Sequence, residues 1–143
     1  MKLSKKVRMF NEEIPLYISD LVMKAIEKYN VPKVVAVLGI AVKDYSSDDR
    51  LSPTHDIINI LQSRGVKVKA FDPAVKKDYD FKINSMKEAL EDVNVVLILA
   101  KQHGIEFDKI IEYATKSPII VIDTRNIFSN EDAKKLGFIL EKI

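Results

Sequence analysis

The sequence predicts an α/β fold: a doubly wound, Rossmann-like parallel sheet in a three-layer α/β/α sandwich, preceded by one long amphipathic helix. Three observations carry that expectation. Short runs rich in β-branched residues alternate with stretches of helical periodicity, the pattern of a parallel sheet whose crossovers are helices. Two of those runs, 33–40 and 93–100, are almost continuously apolar, as strands buried on both faces must be. The chain has 143 residues, 47% of them hydrophobic, which suits one domain able to bury roughly two-thirds of its unfolded surface.

Each element has its own signal. Between Asn11 and Tyr29 the apolar residues Ile14, Ile18, Leu21, Val22, Ala25, Ile26 and Tyr29 trace one helical face. Pro15 fits a first turn, and Asn30 with Pro32 stops the helix. Lys33–Ile40 reads as the first strand, and Val66–Phe71 as the second. The second alternates with Lys67 and Lys69, which suits a position nearer the sheet edge. Val93–Ala100 and Ile119–Asp123 read as further strands, and Phe138–Leu140 as a weaker one. Helices are expected over 53–64, 85–91, 105–115 and 130–136. Ser52-Pro53 supplies an N-cap with proline at the first helical position, and Gly65 a C-terminal stop.

Composition excludes several classes. The net charge is +2, from 23 Lys+Arg and 21 Asp+Glu interspersed along the chain, so the basic footprint of a nucleic-acid-binding domain is missing. With no cysteine there is no disulfide, thiolate zinc site or cysteine nucleophile in this chain. Met1–Lys6 is basic, but Asn11, Glu12 and Glu13 follow where a secretory signal needs an apolar stretch. No run of about 18 apolar residues spans a membrane. The expected location is cytoplasmic.

In open α/β sheets ligands bind beyond the carboxyl ends of the strands, where the strand order reverses. The segments falling there are 41–52 after the first strand, Asp72-Pro73 after the second, 101–104 after the third and 124–126 after the fourth. Lys43, Arg50, Lys101 and Arg125 should therefore converge on one edge, near the helix start at Ser52-Pro53. Cations beside a helix N-terminus make an anion site, with phosphate the usual occupant. A loop-ordering salt bridge within Asp48-Asp49-Arg50 reads that charge cluster equally well, and Asp72-Pro73 reads as a turn. His55 and His103 lack carboxylates at ligand spacing, so no metal is expected. A dinucleotide-binding turn needs three closely spaced glycines. Here Gly39 stands alone, with Lys43 and Tyr45 where small residues would be wanted.

Val37–Lys43 followed by Asp48–Pro53 resembles the V-LG-AFK … D-D-R-SP stretch of the nucleotide-sugar 6-dehydrogenases. The likeness continues through Val68–Pro73 (the family's V-AYDP), Ser85–Val96 (ALE-AD-VV) and Ile122–Asn126 (D-RN). Upstream, Arg8–Asn11 with Pro15 and Tyr17 is similar to the family's R--N---P-Y helix. The resemblance implies the C-terminal third of an NAD-dependent enzyme of polysaccharide biosynthesis that oxidises UDP-glucose, UDP-N-acetylmannosamine, UDP-N-acetylglucosamine or GDP-mannose to the uronate. It implies a linking helix at 1–31 and a UDP-sugar-binding domain at 32–143. The glycine-rich NAD domain, the middle domain and the nucleophilic cysteine of such enzymes lie outside what this chain matches. The chain by itself is expected to bind UDP-sugar without catalysing, with NAD held mainly by the missing domain, and the parent to be a homo-oligomer.

By the same resemblance Lys43 contacts the substrate, Arg125 lies beside its sugar, and Arg50 reaches across the cleft towards NAD. Asp49 orients Arg50, while Ser52 and Asn126 support the site. The chain departs from the family at Val42, where Phe is usual, and at Ala100–His103, which replaces a T-[WH] pattern. An assembly module docking through the Asn11–Tyr29 helix is the alternative, since that apolar face needs either a partner or the chain's own sheet.

Overall fold

The apolar runs fold into one five-stranded sheet with strand order β2-β1-β3-β4-β5, every neighbouring pair parallel. The computed structural model describes residues 14–40, 53–76 and 78–142. In chain order the elements are α1 (Ile14–Tyr29), β1 (Val34–Leu38), α2 (Pro53–Ser63), β2 (Lys67–Phe71), α3 (Met86–Leu90) and β3 (Val95–Ile98). A 3₁₀ turn, Phe107–Lys109, leads into α4 (Ile110–Tyr113), and β4 (Ile120–Asp123), α5 (Asn130–Leu136) and β5 (Ile139–Lys142) follow. Residues 11–13 of the expected first helix, and Ser52 at the expected start of α2, lie outside the described residues.

The strand positions follow from side-chain chemistry. β1 and β3, the two continuously apolar runs, are central, and all of β3 is buried. β2 lies at one edge, where Lys67 reaches solvent and Lys69 donates from Nζ to the Glu91 carbonyl at 2.6 Å. Side chains alternate between faces with period two. Val35, Val37, Leu97 and Ile122 join one core with α1 and α2. Ala36, Leu38, Val96 and Ile98 join the other with α3, α4 and α5.

The apolar face of α1 lies on this chain's own sheet. Ile18, Val22, Ala25 and Ile26 are buried in the core shared with α2, each large aliphatic among them contributing roughly 1.5–3 kcal/mol by leaving water. Arg64 grips Asp20 at 2.7 Å on the α2 side. At the opposite edge the Tyr29 hydroxyl donates to Glu141 Oε1 at 3.1 Å. The helix ends where Asn30 turns left-handed (φ +51°) and the Val31 amide reaches back to the Ile26 carbonyl.

The stretch 105–115 is less helical than its periodicity predicts. Glu106 pairs with Lys109 at 3.0 Å and accepts from the Tyr113 hydroxyl at 3.0 Å, framing a 3₁₀ turn. Ala114 then turns extended, and the Thr115 hydroxyl is taken up by the Asp92 amide at 2.8 Å. Only Ile110–Tyr113 remains α-helical.

Between β1 and β3 the strand order reverses, and just beyond their ends Gly39 packs on Ala100. Gly39 has φ +99°, and a Cβ on it would sit 2.6 Å from the Ala100 amide nitrogen and 2.8 Å from its carbonyl oxygen. Both obstacles are backbone, so neither can move aside cheaply. Gly39→Ala is expected to cost about 3 kcal/mol in urea denaturation. Gly65→Ala, at φ +81° but with nothing within 4 Å, should cost about 1 kcal/mol, the left-handed penalty alone.

The seven-residue α5 opens on a reciprocal cap. The Asp132 carboxylate accepts from the Ser129 amide at 2.9 Å, and the Asp132 amide donates to Ser129 Oγ at 3.1 Å. The Ser129 backbone and side-chain hydrogen bonds hold the Asp132 pKa below the ordinary carboxylate value. A carboxylate lowered on folding stabilises above its unfolded pKa, and that stability is lost as pH falls through its folded pKa. Ser129→Ala should raise the Asp132 titration midpoint followed by NMR, and narrow this acid-dependent part of the thermal midpoint.

Candidate functional site

The carboxyl ends of the strands are organised by two buried aspartates. Asp72, directly after β2, is 1% exposed. Its Oδ1 accepts from the Ala74 amide at 2.9 Å, closing the turn at Asp72-Pro73. Its Oδ2 accepts from the Ile40 amide at 2.8 Å and from Gln102 Nε2 at 3.1 Å. The exits of β1, β2 and β3 thus meet on one carboxylate. Asp123, the last residue of β4, is 2% exposed. It accepts from the Arg125 amide at 3.0 Å and the Phe128 amide at 2.9 Å. Those bonds shape the loop on which Arg125 and Asn126 stand exposed.

Asn126 is left-handed (φ +56°), and its Oδ1 accepts from Lys142 Nζ at 2.7 Å. Thr124 Oγ1 donates to the Ile98 carbonyl at 2.6 Å, fastening the loop to the exit of β3. Between the exits of β3 and β4 lies an open groove of about 460 Å³ whose lining includes Lys101, His103, Phe107, Asn126 and Ile127. The structure therefore brings Lys101 and Asn126 to one groove and sets Arg125 on the loop beside it. Lys43, Asp49, Arg50 and Ser52 lie outside the described residues.

Gly39, the lone glycine after β1, has its missing side chain accounted for by the backbone of Ala100. Among the described residues Gly39 therefore offers no backbone cradle to a pyrophosphate. Among the described residues no three His, Asp or Glu side chains gather to hold a metal ion. No described helix is long and apolar enough to cross a membrane.

Asp72, Gln102 and Lys142 escaped the sequence reading as organisers of this edge. A local signal existed for the aspartates, since each terminates a buried apolar run. Gln102 and Lys142 had none, because their partners are 30 and 16 residues away. Replacing Asp123 with Ala would strand two amides, that of Phe128 in a buried setting. Asp123→Ala should cost about 3 kcal/mol in urea denaturation, a loss beyond the range of an exposed loop substitution.

The chain is similar to known proteins over most of its length. Residues 36–130 match the family model described as "UDP-glucose/GDP-mannose dehydrogenase family, UDP binding domain". The UDP-N-acetyl-D-mannosamine dehydrogenase of Methanocaldococcus jannaschii is 33% identical over 141 residues, covering 96% of this chain and 32% of that protein. The UDP-glucose 6-dehydrogenase of Rickettsia felis is 35% identical over 149 residues, covering 96% and 33% respectively. The solved UDP-N-acetyl-mannosamine dehydrogenase of S. aureus superposes with a TM-score of 0.73 at 30% identity, over 94% of this chain and 31% of that one. The chain thus spans about a third of the length of the relatives it matches. By that match and those identities, the chain belongs to the UDP-glucose/GDP-mannose dehydrogenase family and corresponds to its UDP binding domain.

Proposed function

We propose that this chain is the UDP-sugar-binding part of an NAD-dependent 6-dehydrogenase that oxidises a UDP-hexose such as UDP-N-acetylmannosamine or UDP-glucose to the uronate. The observation that carries the reading is the Arg125-Asn126 loop, shaped from beneath by Asp123 within the family's UDP binding domain. Each assigned role suits its residue type. Lys43 offers a compact charge to a phosphate oxygen, and Arg125 a planar fork to oxygens at the sugar end. Arg50, oriented by Asp49, reaches towards NAD held by a separate domain; Ser52 and Asn126 support these contacts.

Without a cysteine and without a dinucleotide turn, the chain has no group to trap an aldehyde and no seat for the nicotinamide. It binds without turning over, and its partners are the NAD-binding and middle domains of a cytoplasmic, homo-oligomeric parent. The assembly-module alternative would dock through α1, whose Ile18, Val22, Ala25 and Ile26 are buried in this chain's own core while Leu16 and Tyr17 stand exposed.

A thermal-shift titration tests the reading. UDP or a UDP-sugar at 100 times its dissociation constant should stabilise the chain by about 2.7 kcal/mol, several degrees at this size. Lys43→Ala should abolish the shift and Arg125→Ala should remove what a UDP-sugar adds over UDP, while GDP-mannose and NAD should give smaller shifts. No shift with any UDP compound, in the chain alone or with the missing domains added, would overturn the proposal.

A further inference from the structure

The two edges of the sheet are finished differently. Outside β2 a strap closes the edge: the Ala70 amide donates to the Phe81 carbonyl at 2.8 Å, and the Ile83 amide to the Ala70 carbonyl at 2.7 Å. Outside β5, at the opposite edge, no described residue pairs with the strand. The Ile139 amide faces inward, donating to the Ile119 carbonyl at 2.9 Å, so by strand alternation the Leu140 and Lys142 amides face outward. An open strand edge is a template for another extended chain.

Beside that edge lies a cleft of about 230 Å³ between α1 and the β4–β5 pair. Its floor is apolar, formed by Leu21, Ala25 and Ile122, of which Ala25 is 5% and Ile122 1% exposed. Its rim carries three lysines, Lys24, Lys28 and Lys142, against one carboxylate, Glu141. Glu141 is already engaged by Lys28 at 3.6 Å and by the Tyr29 hydroxyl at 3.1 Å. Lys142 bonds a neutral amide, Asn126 Oδ1, so a local excess of positive charge remains. On α1 the spacing 17, 21, 24, 28 sets Tyr17, Leu21, Lys24 and Lys28 in one stripe, with Tyr17 49% exposed at its end.

We propose that the α1–β5 edge is a docking site for an extended acidic segment of a partner protein. The segment pairs with the outer side of β5, sets one apolar side chain into the cleft and lays carboxylates on the lysines. Size and charge select this occupant. The cleft is smaller than the roughly 300–1,000 Å³ of small-molecule sites and suits a single apolar side chain. Pairing of β5 with its own copy across a two-fold axis would bring two such sets of lysines together, and like charges facing each other suppress association. An acidic segment meets the same lysines with the opposite sign. Side chains of an added strand alternate between the faces of the sheet. The segment therefore needs its apolar and acidic residues at every second position, all on the α1 side.

The probe is the labelled peptide Glu-Thr-Leu-Thr-Glu-Thr-Glu, compared by fluorescence anisotropy with its counterpart carrying Lys for every Glu and with one carrying Ser for Leu. NMR amide shifts locate the bound peptide. The acidic peptide should bind at least about tenfold tighter than either control, with the shifts centred on 17–28 and 139–142. Lys24→Glu, an exposed change, should weaken it about tenfold by turning an attraction into a repulsion. Lys134→Glu, on the exposed side of α5, should leave it unchanged. Equal affinity for the acidic and lysine peptides, shifts centred on the groove between the β3 and β4 exits, or an unaffected Lys24→Glu would each overturn the proposal. So would slow hydrogen exchange at the Leu140 and Lys142 amides of the free chain, which would show the edge already covered by a second copy or by residues 1–13.

Discussion

A parallel sheet ends in a row of backbone amides that have run out of strand partners, and a buried amide without an acceptor costs several times what a hydrogen bond contributes. In this fold the need is met by carboxylates placed at the ends of the strands themselves. Asp72 and Asp123, at 1% and 2% exposure, accept from four backbone amides between them. Charge-assisted bonds in that setting outweigh the surface pairing of Lys28 with Glu141, at 3.6 Å between largely exposed, solvent-screened side chains. Among the described residues no buried side-chain nitrogen or oxygen lacks a partner.

This arrangement separates two tasks. The aspartates face inward and their oxygens are taken up by backbone amides. Arg125 has its backbone held from beneath by Asp123 while its side chain lies on the outer surface. Function in an α/β sandwich resides in residues grafted on the strand ends, and here those ends have a fixed foundation.

Much of the fold was legible from the chain because binary patterning is local. Continuous apolarity placed β1 and β3 in the centre, and the lysines of Val66–Phe71 placed β2 at an edge. Asn30 and Gly65 marked helix ends that the structure closes with left-handed residues. The helix expected over 105–115 failed because Thr115 is drawn into a contact with Asp92 and Glu106 closes a 3₁₀ turn with Lys109 and Tyr113, which periodicity does not register. The site was legible only in part. Arg125 and Asn126 could be placed at a strand exit from sequence, whereas the Asp72–Gln102 contact joins residues 30 apart and exists only once β1, β2 and β3 are assembled. Lys43, Asp49, Arg50 and Ser52 rest on the family resemblance.

The long first helix also bears on how the chain acquires its shape. α1 is made before any strand, yet its seat includes the β4 residues Ile120 and Ile122, and Tyr29 bonds Glu141 across 112 residues. During synthesis, which proceeds from the N-terminus, part of that apolar face can pack on α2 early, and the rest is covered only when β4 and β5 are made. Contacts of such high sequence separation slow folding. The seat of α1 is therefore complete only once β4 and β5 have formed.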